Sequence, residues 1–272
     1  MRSHMITGGG GVRLHLLETG NPKGRPIVFI HGFSQCSLAW SRQLTSPLAD
    51  TFRLVSMDLR GHGLSDKPRD AYNDSRLWAD DLHAILQTLG LDHPVLCGWS
   101  YAPLVILDYL RHYGEDDIRG VSFVGGVTKL GSDEAAAVLS AGFLGLIPGF
   151  FSTDAEESAH ALESLGRMCF AGQLSDEERY LMLGYNLSVP PYVRQALLSR
   201  SIDNDDLLPG IRKPVLIAHG AADAVVSPDV ISRQMSRIRN AQVRLLSNAG
   251  HGCFRDEAAT FNRYMREFVE TA

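Results

Sequence analysis

Residues 95–103 of this 272-residue chain read VLCGWSYAP, and this stretch decides the fold. Its first three residues are apolar, as in a strand covered on both faces, and residues 104–110 (LVILDYL) continue as a buried helix. Ser100 therefore lies in a sharp strand-to-helix turn, where its hydroxyl projects above the sheet. Such a turn needs small neighbours, which Gly98 and Ala102 supply. Pro103 suits the first helical turn because no N–H donor is needed there.

Similar elements extend outward from this stretch on both sides. Short apolar runs occur at residues 27–30 (IVFI), 54–57 (LVSM), 121–124 (VSFV) and 215–218 (VLIA). Residues 77–89 and 254–269 carry apolar side chains at helical spacing. The alternating residues 12–17 predict a strand near a sheet edge. This order predicts an α/β fold: a mostly parallel, twisted sheet with helices on both faces.

The alternation of strands and helices stops between residues 130 and 207. This segment is rich in Ala, Leu, Glu and Ser, and its apolar residues follow helical spacing. Helix N-caps are expected at Asp133, Asp154 and Ser175, the last with Glu178 in capping-box position. We therefore expect an α/β core formed by residues 1–129 and 208–272, with residues 130–207 as a helical insertion.

Composition excludes several classes of function. The chain has 26 Lys and Arg against 31 Asp and Glu, a net charge of −5, and it has no basic run of the kind that binds nucleic acid. No segment reaches the 18 apolar residues of a membrane span, and the N-terminus lacks the apolar stretch of a secretory signal. Residues 1–4 resemble a vector remnant ahead of Met5. Four scattered cysteines predict reduced, buried thiols in a cytoplasmic protein rather than a disulfide scaffold or metal site.

A serine hydroxyl becomes a strong nucleophile only when a base takes its proton and an acid orients that base. Two late strands provide these groups, because Asp223 follows the run at 215–218 and His251 follows the run at 243–246. The predicted catalytic residues are therefore Ser100 as nucleophile, His251 as base and Asp223 as acid.

Two further sets of residues complete the predicted site. The backbone N–H groups of Phe33, which follows a strand and Gly32, and of Tyr101, which follows the nucleophile, are expected to form an oxyanion hole. Trp99 beside the nucleophile is a candidate wall of the substrate pocket. An apolar segment of the insertion, residues 141–151 (AGFLGLIPGFF), adds three more candidates: Phe143, Leu144 and Ile147.

Five segments together resemble the α/β-hydrolase superfamily over nearly the whole chain. They are residues 31–33 (HGF), 58–65 (DLRGHGLS), 98–102 (GWSYA), 220–223 (GAAD) and 248–251 (NAGH). The resemblance implies a helical cap between the sixth and seventh strands. It also implies a catalytic triad of the same residues, Ser100, His251 and Asp223. It also implies that His31 and His62 brace loops. Relatives with an aspartate nucleophile are set aside because Ser100 occupies that position.

The expected function is hydrolysis of a carboxylic ester of modest size through an acyl-enzyme, with no metal or organic cofactor. Four alternatives stay open on the same fold: a lactonase of the enol-lactone or acyl-homoserine lactone type, a cofactor-free perhydrolase, a C–C bond hydrolase and a slow ligand receptor. A C–C hydrolase would bind a substrate carboxylate, for which the cap offers Arg167, Arg179 and Arg194. The expected partner is a small ester or lactone, with no nucleic acid and no membrane.

Overall fold

The computed structural model describes residues 1–272 and contains one eight-stranded sheet. Its strands are β1 (Arg2–Thr7), β2 (Arg13–Gly20), β3 (Pro26–Ile30), β4 (Arg53–Met57), β5 (Val95–Trp99), β6 (Gly120–Val124), β7 (Val215–Gly220) and β8 (Ala241–Leu246). They lie in the order β1-β2-β4-β3-β5-β6-β7-β8. The pairs β1–β2 and β2–β4 are antiparallel and all others are parallel, which confirms the predicted mostly parallel sheet.

Eight helices longer than six residues accompany the sheet. They are α1 (Ser75–Leu89), α2 (Ala102–Tyr113), α3 (Ala141–Phe151), α4 (Ala155–Met168), α5 (Asp176–Leu187), α6 (Pro191–Leu198), α7 (Asp229–Met235) and α8 (Ala258–Thr271). Shorter α-helical turns span Ser41–Leu44, Leu48–Thr51, Asp133–Ala136 and Cys253–Asp256. None of the helices has the length and apolar character that crossing a membrane requires.

The centre of the sheet is buried on both faces. Every residue of β3, β5, β6 and β7 is buried, as expected for parallel strands covered by helices. Helix α1 turns one apolar face, with Trp78 and Leu82, toward the core. Asp74 caps its first turn by accepting a hydrogen bond from Arg76 N, and Gly90 ends it in the left-handed conformation.

Helices α3–α6 form the cap and lie in the chain between β6 and β7, the sixth and seventh strands of the sheet. A two-stranded ribbon, Lys129–Leu130 with Ile202–Asp203, closes the base of this insertion. Asp154 and the capping box of Ser175 are confirmed as N-caps. The cap predicted at Asp133 is wrong: Ser132 accepts the hydrogen bond from Ala135 N, and Asp133 is the first helical residue.

The N-terminal strand β1 was not predicted. Residues of the suggested vector remnant pair with β2, for example Arg2 opposite Glu18. Of the six residues in β1 only Ile6 is buried. The strand is held by backbone hydrogen bonds at the sheet edge, so its side chains show no apolar periodicity that sequence analysis could detect.

His31 and His62 are buried under the loops at the end of β3 and β4. The ring of His31 bonds Gly32 O through Nδ1, at 2.8 Å, and accepts the backbone N–H of Leu59 at Nε2. His62 Nδ1 lies 2.9 Å from Arg60 O. Burial lowers the pKa of His31 to about 4 and that of His62 to about 3. Both rings are therefore neutral braces at neutral pH.

These depressed pKa values predict how stability depends on pH. Below pH 6.5 an unfolded chain protonates both histidines while the native protein does not, so the free energy of unfolding should fall until the pH reaches about 4 to 3. A His62→Asn variant, whose amide can still donate to Arg60 O, should lose less stability between pH 7 and pH 4. Urea unfolding across this range measures the effect. Equal slopes for the two proteins would contradict the assignment.

Candidate active site

The turn at Ser100 joins β5 directly to α2. Ser100 has a φ of 61°, in the left-handed region that side chains other than glycine rarely occupy, at a cost of about 1–3 kcal/mol. Two backbone hydrogen bonds hold this conformation: Ser100 N donates to Val124 O at 2.9 Å, and Val127 N donates to Ser100 O at 3.1 Å. Residues at and after β6 therefore fix the turn.

Close packing around the turn explains its small neighbours. A Cβ atom on Gly32 would lie 2.8 Å from the Cβ of Ser100. On Gly98 it would lie 3.1 Å from the Cβ of Ala102 and 2.8 Å from the side chain of Ile106. The methyl group of Ala102 is therefore accommodated, but only because Gly98 opposite it has no side chain.

Asp223 and His251 lie after β7 and β8 and contact each other. The Nδ1 atom of His251 is 2.8 Å from Oδ2 of Asp223, and both side chains are buried. The indole Nε1 of Trp99 donates to the backbone oxygen of His251 at 3.0 Å. The residue before Ser100 therefore also positions the loop that carries His251, residues 247–252, called the histidine loop below.

The carboxylate of Asp223 is surrounded by donors. Its Oδ1 accepts the backbone N–H groups of Val225 and Val226 at 2.8 and 2.9 Å. Its Oδ2 contacts Nε2 of His219 at 3.0 Å as well as the ring of His251. Burial alone would raise the pKa of Asp223, but the two histidines lower it well below its usual range. Asp223 therefore stays ionised.

His219 is one of the residues near the site that sequence analysis missed. It is the penultimate residue of β7, it is fully buried, and its Nε2 also lies 3.1 Å from Val226 O. Two acceptors at one nitrogen make Nε2 the protonated one. The four-residue spacing from Asp223 was visible in the sequence, but its meaning depends on the turn that folds Asp223 back onto the strand.

Ser100 and His251 line one cavity, together with the two predicted oxyanion donors. The backbone N–H groups of Phe33 and Tyr101 donate to no acceptor within the protein. The structure has no hydrogen bond between the Ser100 hydroxyl and the His251 ring, whose bonded partner is Asp223. Contacts of this kind are commonly long in unliganded structures and tighten when substrate binds.

Twelve of the 16 residues that line the cavity are hydrophobic. Trp99 and Phe143, two of the predicted walls, are among them, and no Asp, Glu, Lys or Arg lines it. Core loops contribute Val127 and Val225, and the cap contributes a larger apolar set: Leu130, Leu139, Phe143, Leu165, Cys169 and Leu198. The cavity therefore suits an apolar, uncharged group.

Leu144 and Ile147 do not line this cavity, so their prediction as pocket walls is wrong. Leu144 is 37% exposed on the outer side of α3. Ile147 is half-buried and packs against the core without reaching the cavity. Helix α3 turns mainly the face with Phe143 and Phe150 inward.

The three cap arginines considered as carboxylate ligands are all engaged away from the cavity. Arg167 and Arg179 both pair with Glu163. Arg194 is buried and donates to Phe150 O, at 2.6 Å, and to other cap oxygens. Arg179 and Arg194 link different cap elements, whereas Arg167 pairs within its own helix. The observation that kept a C–C hydrolase open is therefore removed.

The histidine loop is bonded to the cap. The N–H of Gly252 donates to Cys169 O at the end of α4, at 2.6 Å. Asp256 Oδ2 accepts two backbone N–H groups, from Gly250 in the histidine loop and from Ala171 in the cap, at 2.9 and 2.8 Å. The position of His251 therefore depends on the cap as well as on the core.

The cysteines near the site are poor nucleophiles. Burial raises the pKa of Cys36 to about 12 and also raises the pKa of Cys169 and Cys253. All four thiols of the chain are free and buried. A thiol in the protonated form attacks a carbonyl far less readily than a thiolate does.

Comparisons with known proteins agree with this fold. The sequence model of a family described as alpha/beta hydrolase fold matches residues 25–258. The chain belongs to this family. It is a hydrolase of the alpha/beta superfamily, and its fold confirms the expected cap between the sixth and seventh strands.

Several relatives extend over nearly the whole chain. The AB hydrolase superfamily protein YisY of Bacillus subtilis is 29% identical, over 97% of this chain and 98% of that protein. The non-heme chloroperoxidase CPO-A1 of Kitasatospora aureofaciens is 26% identical, over 95% and 96%. The crystal structure of the esterase RhEst1 from Rhodococcus sp. ECU1013 superposes with a TM-score of 0.94 at 34% identity, over 99% of each chain.

Proposed function

We propose that this hydrolase is a serine esterase that cleaves a carboxylic ester of modest size through an acyl-enzyme on Ser100. One observation carries the proposal: Ser100, on a left-handed turn, shares an apolar cavity with His251, which is hydrogen-bonded to the ionised Asp223. The similarity to the esterase RhEst1 supports the same reaction class.

In the first half of the proposed reaction, Ser100 Oγ attacks the ester carbonyl carbon and its proton passes to Nε2 of His251. Asp223 stabilises the imidazolium and keeps Nδ1 protonated. The N–H groups of Phe33 and Tyr101 bind the oxyanion, each contributing about 2.7–4 kcal/mol to the lowering of the barrier. His251 then gives its proton to the leaving alcohol, and the acyl group remains on Ser100.

In the second half, a water molecule gives a proton to His251 and attacks the acyl carbonyl. The tetrahedral intermediate collapses, the acid leaves, and Ser100 regains its proton from His251. The apolar lining favours an apolar acyl or alkyl group next to the carbonyl.

Perhydrolysis is a second candidate, supported by the similarity to the chloroperoxidase CPO-A1. Hydrogen peroxide would replace water as the attacking group on the acyl-enzyme, and the product would be a peracid. A lactone would enter the same cycle as a cyclic ester, with the alcohol kept on the acyl chain. Rates on matched open-chain and cyclic esters, with and without peroxide, separate these activities.

Replacing the nucleophile tests the proposal. Ser100→Ala should lower turnover of a short p-nitrophenyl ester by about 10⁶-fold, because the attacking oxygen is removed. Labelling by a fluorophosphonate probe should also disappear. Thermal melting of the variant serves as the fold control. A folded variant that keeps its turnover would remove Ser100 from the reaction.

The role of Asp223 is tested by Asp223→Asn. The amide would favour the wrong histidine tautomer, and kcat should drop by about 10⁴-fold while the fold is kept. Asp205, a carboxylate bonded to Lys129 away from the cavity, provides a matched control in Asp205→Asn. Similar activities for the two variants would show that Asp223 is not the acid.

His219 is expected to act as a positioning residue for Asp223. His219→Leu removes a donor from a buried carboxylate, and kcat should fall about ten- to hundredfold. His219→Gln keeps an N–H at the position of Nε2 and should recover most of the rate with an unchanged KM. If the glutamine variant is as slow as the leucine variant at equal stability, the hydrogen bond to Asp223 is not the cause.

A further inference from the structure

Gln35 is a buried polar residue on the wall of a largely apolar cavity. Its side chain lines the cavity and is only 2% exposed. Other polar groups along the wall are already bonded: the hydroxyl of Tyr101 accepts from Arg200, and the indole of Trp99 donates to the His251 backbone. Apart from Ser100 and His251, Gln35 is the remaining polar side chain that faces this space.

The orientation of the Gln35 amide is fixed by its neighbour. Its Nε2 donates to Oδ1 of Asn186 at 3.3 Å. Asn186 cannot present its nitrogen there, because Nδ2 of Asn186 donates to Met182 O at 2.8 Å. Turning the Gln35 amide over would place two oxygens against each other. The Oε1 atom therefore points away from Asn186, and no donor within the protein reaches it.

Leaving this acceptor without a partner is costly. A buried carbonyl-type oxygen without a hydrogen bond destabilises a protein, and native structures contain few of them. Eleven buried side-chain atoms of this protein lack a partner, and among the residues that carry them Gln35 is the one that lines the proposed substrate cavity. An atom of this kind is stabilised only when something that enters the cavity brings a donor.

We propose that Gln35 is a specificity-determining residue whose Oε1 accepts a hydrogen bond from a hydroxyl or amide N–H of the substrate. This inference rests on the proposed esterase function and narrows its substrate class. The substrate is a neutral, largely apolar ester that carries one hydrogen-bond donor within a few bonds of the scissile carbonyl. Its donor meets Gln35 while its carbonyl oxygen meets the N–H groups of Phe33 and Tyr101.

The lining of the cavity also specifies the charge of this substrate. A carboxylate would face the partial negative charge of Oε1 and would find no cation, because no Lys or Arg lines the cavity. An ammonium group would offer a donor, but it would lose its hydration without gaining a carboxylate partner. A hydroxyl or amide N–H satisfies Oε1 without this loss.

Matched pairs of esters test the inference. Ethyl 3-hydroxybutyrate and ethyl butyrate differ in a donor on the acyl side, and 2-hydroxyethyl butyrate and propyl butyrate differ in one on the alcohol side. The native enzyme should prefer the hydroxylated member of at least one pair by about ten- to hundredfold in kcat/KM. Gln35→Met, which keeps the length of the side chain but has no acceptor oxygen, should bring that ratio close to one.

Gln35→Glu provides the matched control. Burial favours the protonated carboxyl, which can donate to Asn186 Oδ1 and still accept from the substrate. A carboxyl group keeps an acceptor oxygen whether or not it is protonated, so this variant should keep the preference for the hydroxylated ester that Gln35→Met loses.

The possible results separate this inference from the proposed function. A native enzyme that shows no preference in either pair overturns the role of Gln35 in specificity. A preference that persists in Gln35→Met does the same, as does an equal loss of rate on both members, which would indicate a water-holding or structural role. Absence of both ester turnover and fluorophosphonate labelling of Ser100 in the folded native protein would instead contradict the esterase proposal.

Discussion

The backbone at Ser100 must leave a buried strand and enter a buried helix within two residues, and the surrounding structure follows from this constraint. A φ of 61° is unfavourable for serine, so neighbouring segments have to hold it. Hydrogen bonds to Val124 and from Val127 do so, while Gly32 and Gly98 leave the necessary space. These contacts keep the hydroxyl above the carboxyl ends of the strands, where the loops after β7 and β8 also begin.

Two different supports hold the acid and the base of the proposed mechanism. Asp223 is held by its own segment, because its donors include His219 on β7 and the N–H groups of Val225 and Val226 just beyond it. His251 is held from outside its segment, by Trp99 before the nucleophile and by cap residues next to its loop. Fixed dipoles and charges of this kind need little rearrangement during a reaction, which is the main source of catalytic rate in many enzymes.

The sequence predicted the strands and helices whose apolar residues follow a regular spacing. It did not predict which residues are buried where that spacing is absent. The strands around β5 and the caps at Asp154 and Ser175 follow from apolar runs and local hydrogen bonding, and the structure confirms them. The buried face of α3 could not be predicted, because a helix apolar on all sides has no polar side to mark the solvent. Leu144, predicted as a pocket wall, lies on its exposed side.

The roles of Ser100, Asp223 and His251 stay predictions, although the structure brings the three together. Gln35 and His219 gave no signal, since their bonds depend on tertiary contacts.

The bonds between the histidine loop and the cap bear on how specificity can be re-engineered in this scaffold. Because Gly252 and Asp256 bind the backbone at Cys169 and Ala171, the cap does not behave as an exchangeable module. Grafting a cap from a relative would remove the cap's support of the His251 loop along with the old pocket wall. Point substitutions on the inner sides of α3 and α4 leave those backbone links intact. New substrate ranges therefore evolve more easily through single side-chain changes than through exchange of whole caps.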